Sequence, residues 1–265
     1  MTLVEHQRTS RAQTLDVKDI GLVYHTSSGE VEALRDVNFS VGKGEFVSIV
    51  GPSGCGKSSL LKLILGLARP TMGELAISGA RILGPSKNVG CVFQSPVLLR
   101  WRTIRDNVLL PLDVMKLERA SAIRRVEALL RLVGLGGFED KYPFELSGGM
   151  QQRAAIVRSL VHDPHLLMMD EPFAALDAMT REQMAIELQR LWMESGKTLV
   201  FITHSISEAI LLSDRIIVMS ARPGRIVAVF ENTAPRPRSF ADLGSPTLNE
   251  LSLDIRQSLD RACAL

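Results

Sequence analysis

Three short stretches hold the residue types that could do chemistry. The first, "GPSGCGKS" at residues 51–58, fits the pattern G-x-x-x-x-G-K-[ST] and lies between two apolar runs. Its glycines, Gly51, Gly54 and Gly56, let the backbone wrap phosphates with its N–H groups inward. Pro52, Ser53 and Cys55 fill the wrap, and Ser59 completes the nucleotide-contacting set. Lys57 can reach β and γ phosphates, and the Ser58 hydroxyl can ligate Mg²⁺. The second stretch is four apolar residues, 166–169, followed by Asp170 and Glu171. Carboxylates leaving the C-terminal end of a parallel strand sit where open α/β sheets place ligand chemistry. Asp170 there would hold the metal through its water shell, and Glu171 could orient or deprotonate an attacking water. The third is Ser147, Gly148 and Gly149, just ahead of the good helix formers at 150–157. A hydroxyl and two bare amides at a helix N-terminus form a second anion site, nearly a hundred residues from the first.

These residues need elements to hold them. Residues 15–41 alternate in polarity around a turn at Ser27, Ser28 and Gly29, which predicts an antiparallel hairpin. "EFVSIVG" at 45–51 reads as a strand buried on both faces, and 58–68 as a helix apolar nearly all round. Strands are expected at 73–77, 89–93, 165–170, 198–203, 214–220 and 225–230, and helices at 180–195 and 206–212. Between 103 and 133 the period becomes helical, broken by Pro111 and closing on Gly134. Alternating strands and helices predict a parallel, layered α/β sheet. "PRPRS" at 235–239 marks a loop into a polar tail that ends in a helix over 248–259.

Composition narrows the class. With 46% hydrophobic and 23% charged residues, the 265-residue chain can build a sizeable core. Its 31 basic residues barely exceed 29 acidic ones, so binding of nucleic acid by phosphate neutralisation is not expected. No apolar run approaches the roughly 18 residues of a spanning helix, and the first 16 residues have no apolar core of a secretory signal. Cys55, Cys91 and Cys263 lack metal-ligand spacing and suit a reducing compartment. The Cys55 thiol, inside the phosphate loop, is expected to lie beside the phosphates, where ATP would shield it from alkylation.

With these motifs in place, residues 15–230 resemble the nucleotide-binding subunits of ATP-binding-cassette transporters. The elements occur in that family's order: Tyr24, the loop at 51–58, Gln94, the signature "LSGGM" at 146–150, Asp170 and Glu171, Asp177 within "AALD", and His204. The resemblance implies a P-loop NTPase (RecA-like) α/β core over 15–232, with an antiparallel β subdomain and an inserted helical subdomain at about 97–160. An arm at 1–14 and a tail at 233–265 flank it. It implies ATP and Mg²⁺ as cofactors: Tyr24 stacks on adenine, Ser58, Gln94 and Asp170 serve the metal, and Glu171, His204 and Gln94 serve catalysis. Ser147, Gly148 and Gly149 are implied to contact the γ-phosphate on the P-loop of a second copy, and Asp177 is implied to be a further nucleotide-binding residue. Two chains then sandwich two ATP molecules, and ADP, lacking that phosphate, cannot bridge them.

The same resemblance implies an importer ATPase working with separate transmembrane permease subunits, and indirectly with a periplasmic or extracellular solute-binding protein. The chain is then expected in the cytoplasm, peripheral at the inner face of the membrane. "FQSPVLLRWRTIRDNVLLPLDVM" at 93–115, "PFAALDAMTRE" at 172–182 and "RPGRIVAVF" at 222–230 are similar to the nitrate, sulfonate and taurine branch, with Arg100 where that branch has proline. Trp101 either faces the permease or packs inside the helical insert. Two other classes share the motifs. A DNA-repair or chromosome-maintenance ATPase would show a long coiled coil or zinc module, and a non-catalytic scaffold would lack Glu171 or His204.

Overall fold

The computed structural model describes residues 12–27 and 29–263. The alternating residues of the N-terminal region pair as two long strands, β1 (Gln13–Thr26) and β2 (Gly29–Gly42). β1 therefore takes in Gln13 and Thr14, which were expected in the arm; residues 1–11 of that arm, and Ser28 of the turn, lie outside the described residues. After β3 (Phe46–Val50), the chain returns in β4 (Met72–Ile77) and β5 (Ala80–Arg81), which complete an antiparallel sheet in the order β2-β1-β4-β5.

A second sheet holds β3 with β6 (Val89–Val92), β7 (Leu166–Asp170), β8 (Thr198–Thr203), β9 (Arg215–Met219) and β10 (Ile226–Glu231), in the order β10-β9-β3-β8-β7-β6. All pairings are parallel except that of the edge strand β10 with β9. Every residue of β3, β8 and β9 is buried, as continuous apolar runs with helices on both faces require. β10 alternates half-buried and exposed, the mark of an edge. Register brings Val50 beside Thr203, Asp170 beside Ile202 and Val92 beside Met169, so the residues that follow these strands emerge at one edge of the sheet.

Among the described residues, seven α-helices surround the sheets: α1 (Lys57–Ile64), α2 (Ile104–Met115), α3 (Arg119–Leu132), α4 (Gly148–Leu160), α5 (Ala178–Ser195), α6 (Ile206–Leu212) and α7 (Pro246–Cys263). α1 stops short of its expected end because Gly66 takes φ 71°, a left-handed stop. α2 runs through Pro111 rather than breaking there. Proline costs it one backbone bond, but Ile104, Val108, Leu109 and Leu112 are buried against the core, and that packing outweighs the loss. α7 exceeds the expected helix at both ends, and its Leu248 and Ile255 pack with Ile210 of α6 and Val218 of β9. No helix among the described residues is long and apolar enough to cross a membrane.

Candidate functional site

The phosphate loop joins β3 to α1 at the shared sheet edge. Its two inner glycines are there for conformation: Gly54 has φ 76° and Gly56 φ 97°, backbone that side chains rarely adopt. Gly56 also has no room, since a Cβ would lie 2.8 Å from the Ala33 carbonyl oxygen. The loop brings Lys57 back across itself, so the buried ammonium donates to the carbonyls of Gly51 at 2.7 Å and Pro52 at 2.9 Å. Ser58 is exposed at the mouth. A cleft of about 260 Å³ opens here between the two sheets, lined by Tyr24, Ser53, Lys57, Ser58, Ser59 and Glu171 among others. Tyr24 forms one wall, its hydroxyl donating to Ser59 Oγ at 3.2 Å.

The Cys55 thiol is not where the motif suggested. It is 0% exposed and packs with the apolar core beneath the loop, so the loop offers a ligand only the Cys55 backbone. ATP-dependent protection of a reactive thiol is therefore not expected. Burial, then the nearby Asp170, pushes the half-buried Cys91 thiol up to about 12, which keeps it neutral.

Asp170 ends β7, and burial followed by the adjacent Glu171 raises its carboxyl above the usual range, while Lys57 opposes them. Glu171 adopts φ 44°, a rare conformation for a side-chain-bearing residue, held by its N–H donating to the Ile202 carbonyl at 2.8 Å. That turn aims the carboxylate at His204, which follows β8: Oε2 lies 3.1 Å from Nδ1. A carboxylate fixed by an imidazole at a cleft lined by the phosphate loop can orient and deprotonate a water.

Gln94 is exposed, two residues past β6 on the same edge, and outside the cleft lining. Ser147 caps α4, accepting from the Met150 N–H at 3.3 Å, and Asp177 caps α5, accepting from Thr180 N–H at 3.0 Å. That backbone bond holds the Asp177 carboxyl below its usual range. Ser147, Gly148 and Gly149 do not line this chain's own cleft, and Ser147 and Gly148 face solvent. Trp101 is 75% exposed, which removes the alternative of a core tryptophan.

Arg222 and Val31 also line the cleft, and motif reasoning missed both. Arg222 arrives on the turn after β9, knitted to β2 by Gly224, whose N–H donates to the Ala33 carbonyl at 2.9 Å. Its nearest sequence signal is the "RPG" at 222–224, more than 160 residues from the loop it faces.

A buried parallel sheet, a phosphate loop after one inner strand and a carboxylate pair after another define a P-loop ATPase. The residues 34–174 match the family model described as "ABC transporter". The chain is 45% identical over 226 residues to the aliphatic sulfonates import ATP-binding protein of Bacillus cereus, covering 85% of this chain and 89% of that protein. It is 47% identical over 210 residues to the taurine import ATP-binding protein of Pelagibacter ubique, covering 79% of each. Among solved structures it superposes, with TM-score 0.72 and 34% identity, on a dimeric ATP-binding cassette in a post-hydrolysis state bound to ADP and Pi, over 83% of this chain and 100% of that one. The chain belongs to the ABC transporter family, as an ATP-binding subunit.

Proposed function

We propose that two copies of this chain bind two ATP molecules head to tail and hydrolyse them to drive uptake of a small solute, of the sulfonate, taurine or nitrate class, through separate permease subunits. The ATPase domain spans 15–232, and the chain works at the cytoplasmic face of the membrane. The observation that carries the reading is the Glu171–His204 contact of 3.1 Å beside the cleft that holds Lys57 and Ser58. The names of the relatives support the solute class, and a solute-binding protein on the far side of the permease follows from an importer's logic.

In this reading Glu171 takes the proton of the attacking water while His204 holds that carboxylate and the γ-phosphate in line. Lys57 leaves the carbonyls of its own loop for the β and γ phosphates. The half-buried Asp170 carboxylate and the Ser58 hydroxyl, both at the sheet edge that carries the cleft, are oxygen donors of the kind that suit a hard divalent cation. Among the described residues no cluster of three or more His, Cys, Asp or Glu forms a self-contained cage, so such a cation would share its ligands with the nucleotide. Ser58 and Asp170, with Gln94, would hold Mg²⁺, which neutralises developing phosphate charge.

Ser147, Gly148 and Gly149, turned away from their own cleft, grip the γ-phosphate held by the partner copy. Switching such a dimer from mostly open to mostly closed takes about 5.5 kcal/mol of differential affinity. Charge-assisted hydrogen bonds at about 1.5–3 kcal/mol each, made only with ATP, supply it. The test is light scattering after size exclusion on Glu171→Gln. A dimer is expected with Mg-ATP, absent with Mg-ADP and lost when Ser147→Arg is added; a monomer with both nucleotides, in the presence of the permease as well as alone, refutes the shared site.

A further inference from the structure

Behind His204 lies a buried carboxylate that the hydrolytic reading does not use. Glu208 of α6 is 5% exposed. Its Oε2 accepts a 2.6 Å bond from Thr203 Oγ1, and the same hydroxyl accepts from the Ser205 N–H at 3.0 Å. Thr203 and Ser205 flank His204, so the chain on both sides of the imidazole is pinned to one hydroxyl whose only proton is committed to Glu208. The other oxygen, Oε1, lies 3.9 Å from Arg181 Nε. Arg181 in turn donates from Nη2 to the Leu176 carbonyl at 3.1 Å, and from its backbone N–H to the Asp177 carbonyl at 2.9 Å.

A cap for α6 does not account for this carboxylate, because Ser205 already provides one, its Oγ accepting from the Glu208 N–H at 3.3 Å. Nor does filling space, since an apolar side chain of similar volume fills a buried site without the cost of desolvating charge. Burial raises the Glu208 carboxyl above its usual range, and the Thr203 bond and the charges of Arg181 and His204 oppose that rise.

We propose that Glu208 is a positioning residue for ATP hydrolysis: through Thr203 it holds His204 against Glu171, and through Arg181 it ties that turn to the segment carrying Asp177. The inference rests on the reading of Glu171 and His204 as the hydrolytic pair. It gives Asp177, at the N-terminus of α5, a path to His204 that runs within one protomer through the Arg181 and Glu208 side chains and the Thr203 hydroxyl, independent of the nucleotide. Charge is needed at both ends of the Glu208–Arg181 contact, while the Thr203 bond needs only an acceptor.

The test compares Glu208→Gln, Arg181→Met and His204→Ala, singly and with Glu208→Gln placed on His204→Ala, by steady-state ATPase activity of the full chain. The amide of Glu208→Gln keeps an acceptor for Thr203 and removes the charge facing Arg181. Both Glu208→Gln and Arg181→Met are expected to lower kcat about tenfold with KM for ATP changed less than about twofold. On His204→Ala, Glu208→Gln should add less than about a twofold loss, because it acts through the missing imidazole. The imidazole resonances of His204 in ¹H–¹⁵N spectra should move in both variants, which a general loss of stability does not produce. Arg181 is 33% exposed, so Arg181→Met keeps the test open where Glu208→Gln fails to fold. An impaired His204→Ala beside wild-type kcat in folded Glu208→Gln and Arg181→Met overturns this proposal alone, as does a Glu208→Gln loss that multiplies undiminished on His204→Ala. Wild-type kcat in His204→Ala overturns the hydrolytic pair and this inference with it.

Discussion

His204 Nδ1 sits 3.1 Å from Glu171 Oε2, although 33 residues separate them and Glu171 must hold φ 44° to make the contact. Backbone in that region costs about 1–3 kcal/mol for most residues, and here it is held by the Glu171 N–H bond to Ile202. Strain kept at this point has one evident return, the aim of the carboxylate. Glu171→Gln should therefore lower kcat by about 10²–10⁴-fold with ATP affinity unchanged. Radiolabelled phosphate release and nucleotide titration check the two halves; equal losses in both would make Glu171 a binding group.

Gly224 tests whether the turn after β9 braces the phosphate loop. A Cβ at this position would stand 2.0 Å from the Cys55 carbonyl oxygen, a backbone atom with no side chain to swing aside. Gly224→Ala must displace either the loop or the Arg222 turn. ATP affinity should fall about tenfold or more, with a stability loss of about 1–3 kcal/mol. Calorimetric titration with ATP reads the first effect and thermal melting the second. An unchanged affinity would show that the turn yields and the loop does not depend on it.

Local chemistry made the site legible in sequence, and distance along the chain hid the rest. Residues 51–58 could be read because a phosphate loop is set by glycine backbone freedom and one lysine, all contiguous. Asp170 and Glu171 could be read because a buried strand announces its own end. The capping roles of Ser147 and Asp177 follow from side chains that reach only three residues ahead. Arg222 could not be read, since it acquires its neighbours from strand order, which brings β9 beside β3, and Glu208 could not be read because its contact with Arg181 comes from the packing of α5 beside α6. The direction of the Cys55 thiol was hidden for a related reason: a motif specifies where the backbone goes, and the core behind it decides which side chains turn inward. At Pro111 a local rule was overruled by four buried apolar residues of the same helix.

The "PRPRS" segment makes a prediction about stability. Arg238 is 3% exposed, and its guanidinium donates to the carbonyls of Ile210 at 3.0 Å and Ser213 at 2.7 Å, and to Ala234 at 2.8 Å. Burial is the main cause that lowers it to about 10, so it stays charged at neutral pH while satisfying the carbonyls at the end of α6. Arg238→Met removes the guanidinium donors to Ser213 and Ala234, while Ile210 keeps Asn232 Nδ2 at 2.7 Å, and should cost about 2–4 kcal/mol, or roughly 5–10 °C in Tm. Arg238→Lys, a single point charge in place of a planar fork, should recover only part of it. Calorimetry on the three proteins decides.

Asp163 offers a dependence on pH. Hydrogen bonds from Lys197 first, then Arg125, bring its carboxyl from 3.8 down to about 2. A carboxyl lowered in the folded chain adds stability above its ordinary pKa and loses it as pH falls through the folded value. Asp163 is 59% exposed, so solvent screens the pairs and the effect is small. Asp163→Asn suits the test because asparagine tolerates the φ of 59° at this position. The variant should melt about 1–3 °C below wild type at pH 7, with the gap closing as pH falls from about 4 toward about 2. A gap that stays constant with pH would assign the loss to something other than charge.

The last prediction separates coupling from catalysis. Asn107 of α2 is 0% exposed, and its amide serves the preceding loop: Oδ1 accepts from Leu99 N–H at 2.7 Å, and Nδ2 donates to the carbonyls of Leu99 at 3.0 Å, Arg102 at 3.0 Å and Thr103 at 2.9 Å. Arg158 of α4 holds the stretch just before it, donating at 2.7 Å to each of the Pro96 and Val97 carbonyls. Between these clamps Trp101 is presented to solvent, a large apolar side chain fixed outward where a partner's apolar surface can receive it. Asn107→Ala should release the loop without touching the cleft. ATPase activity of the isolated chain is then expected within about threefold of wild type, and stimulation by permease in vesicles to fall by about tenfold or more. Trp101→Ala should reproduce the lost stimulation with no change in Tm, because its exposed ring contributes little to the core. Equal losses with and without permease would mean that the loop supports the ATP site itself, and Trp101 would then have to be read as part of that support.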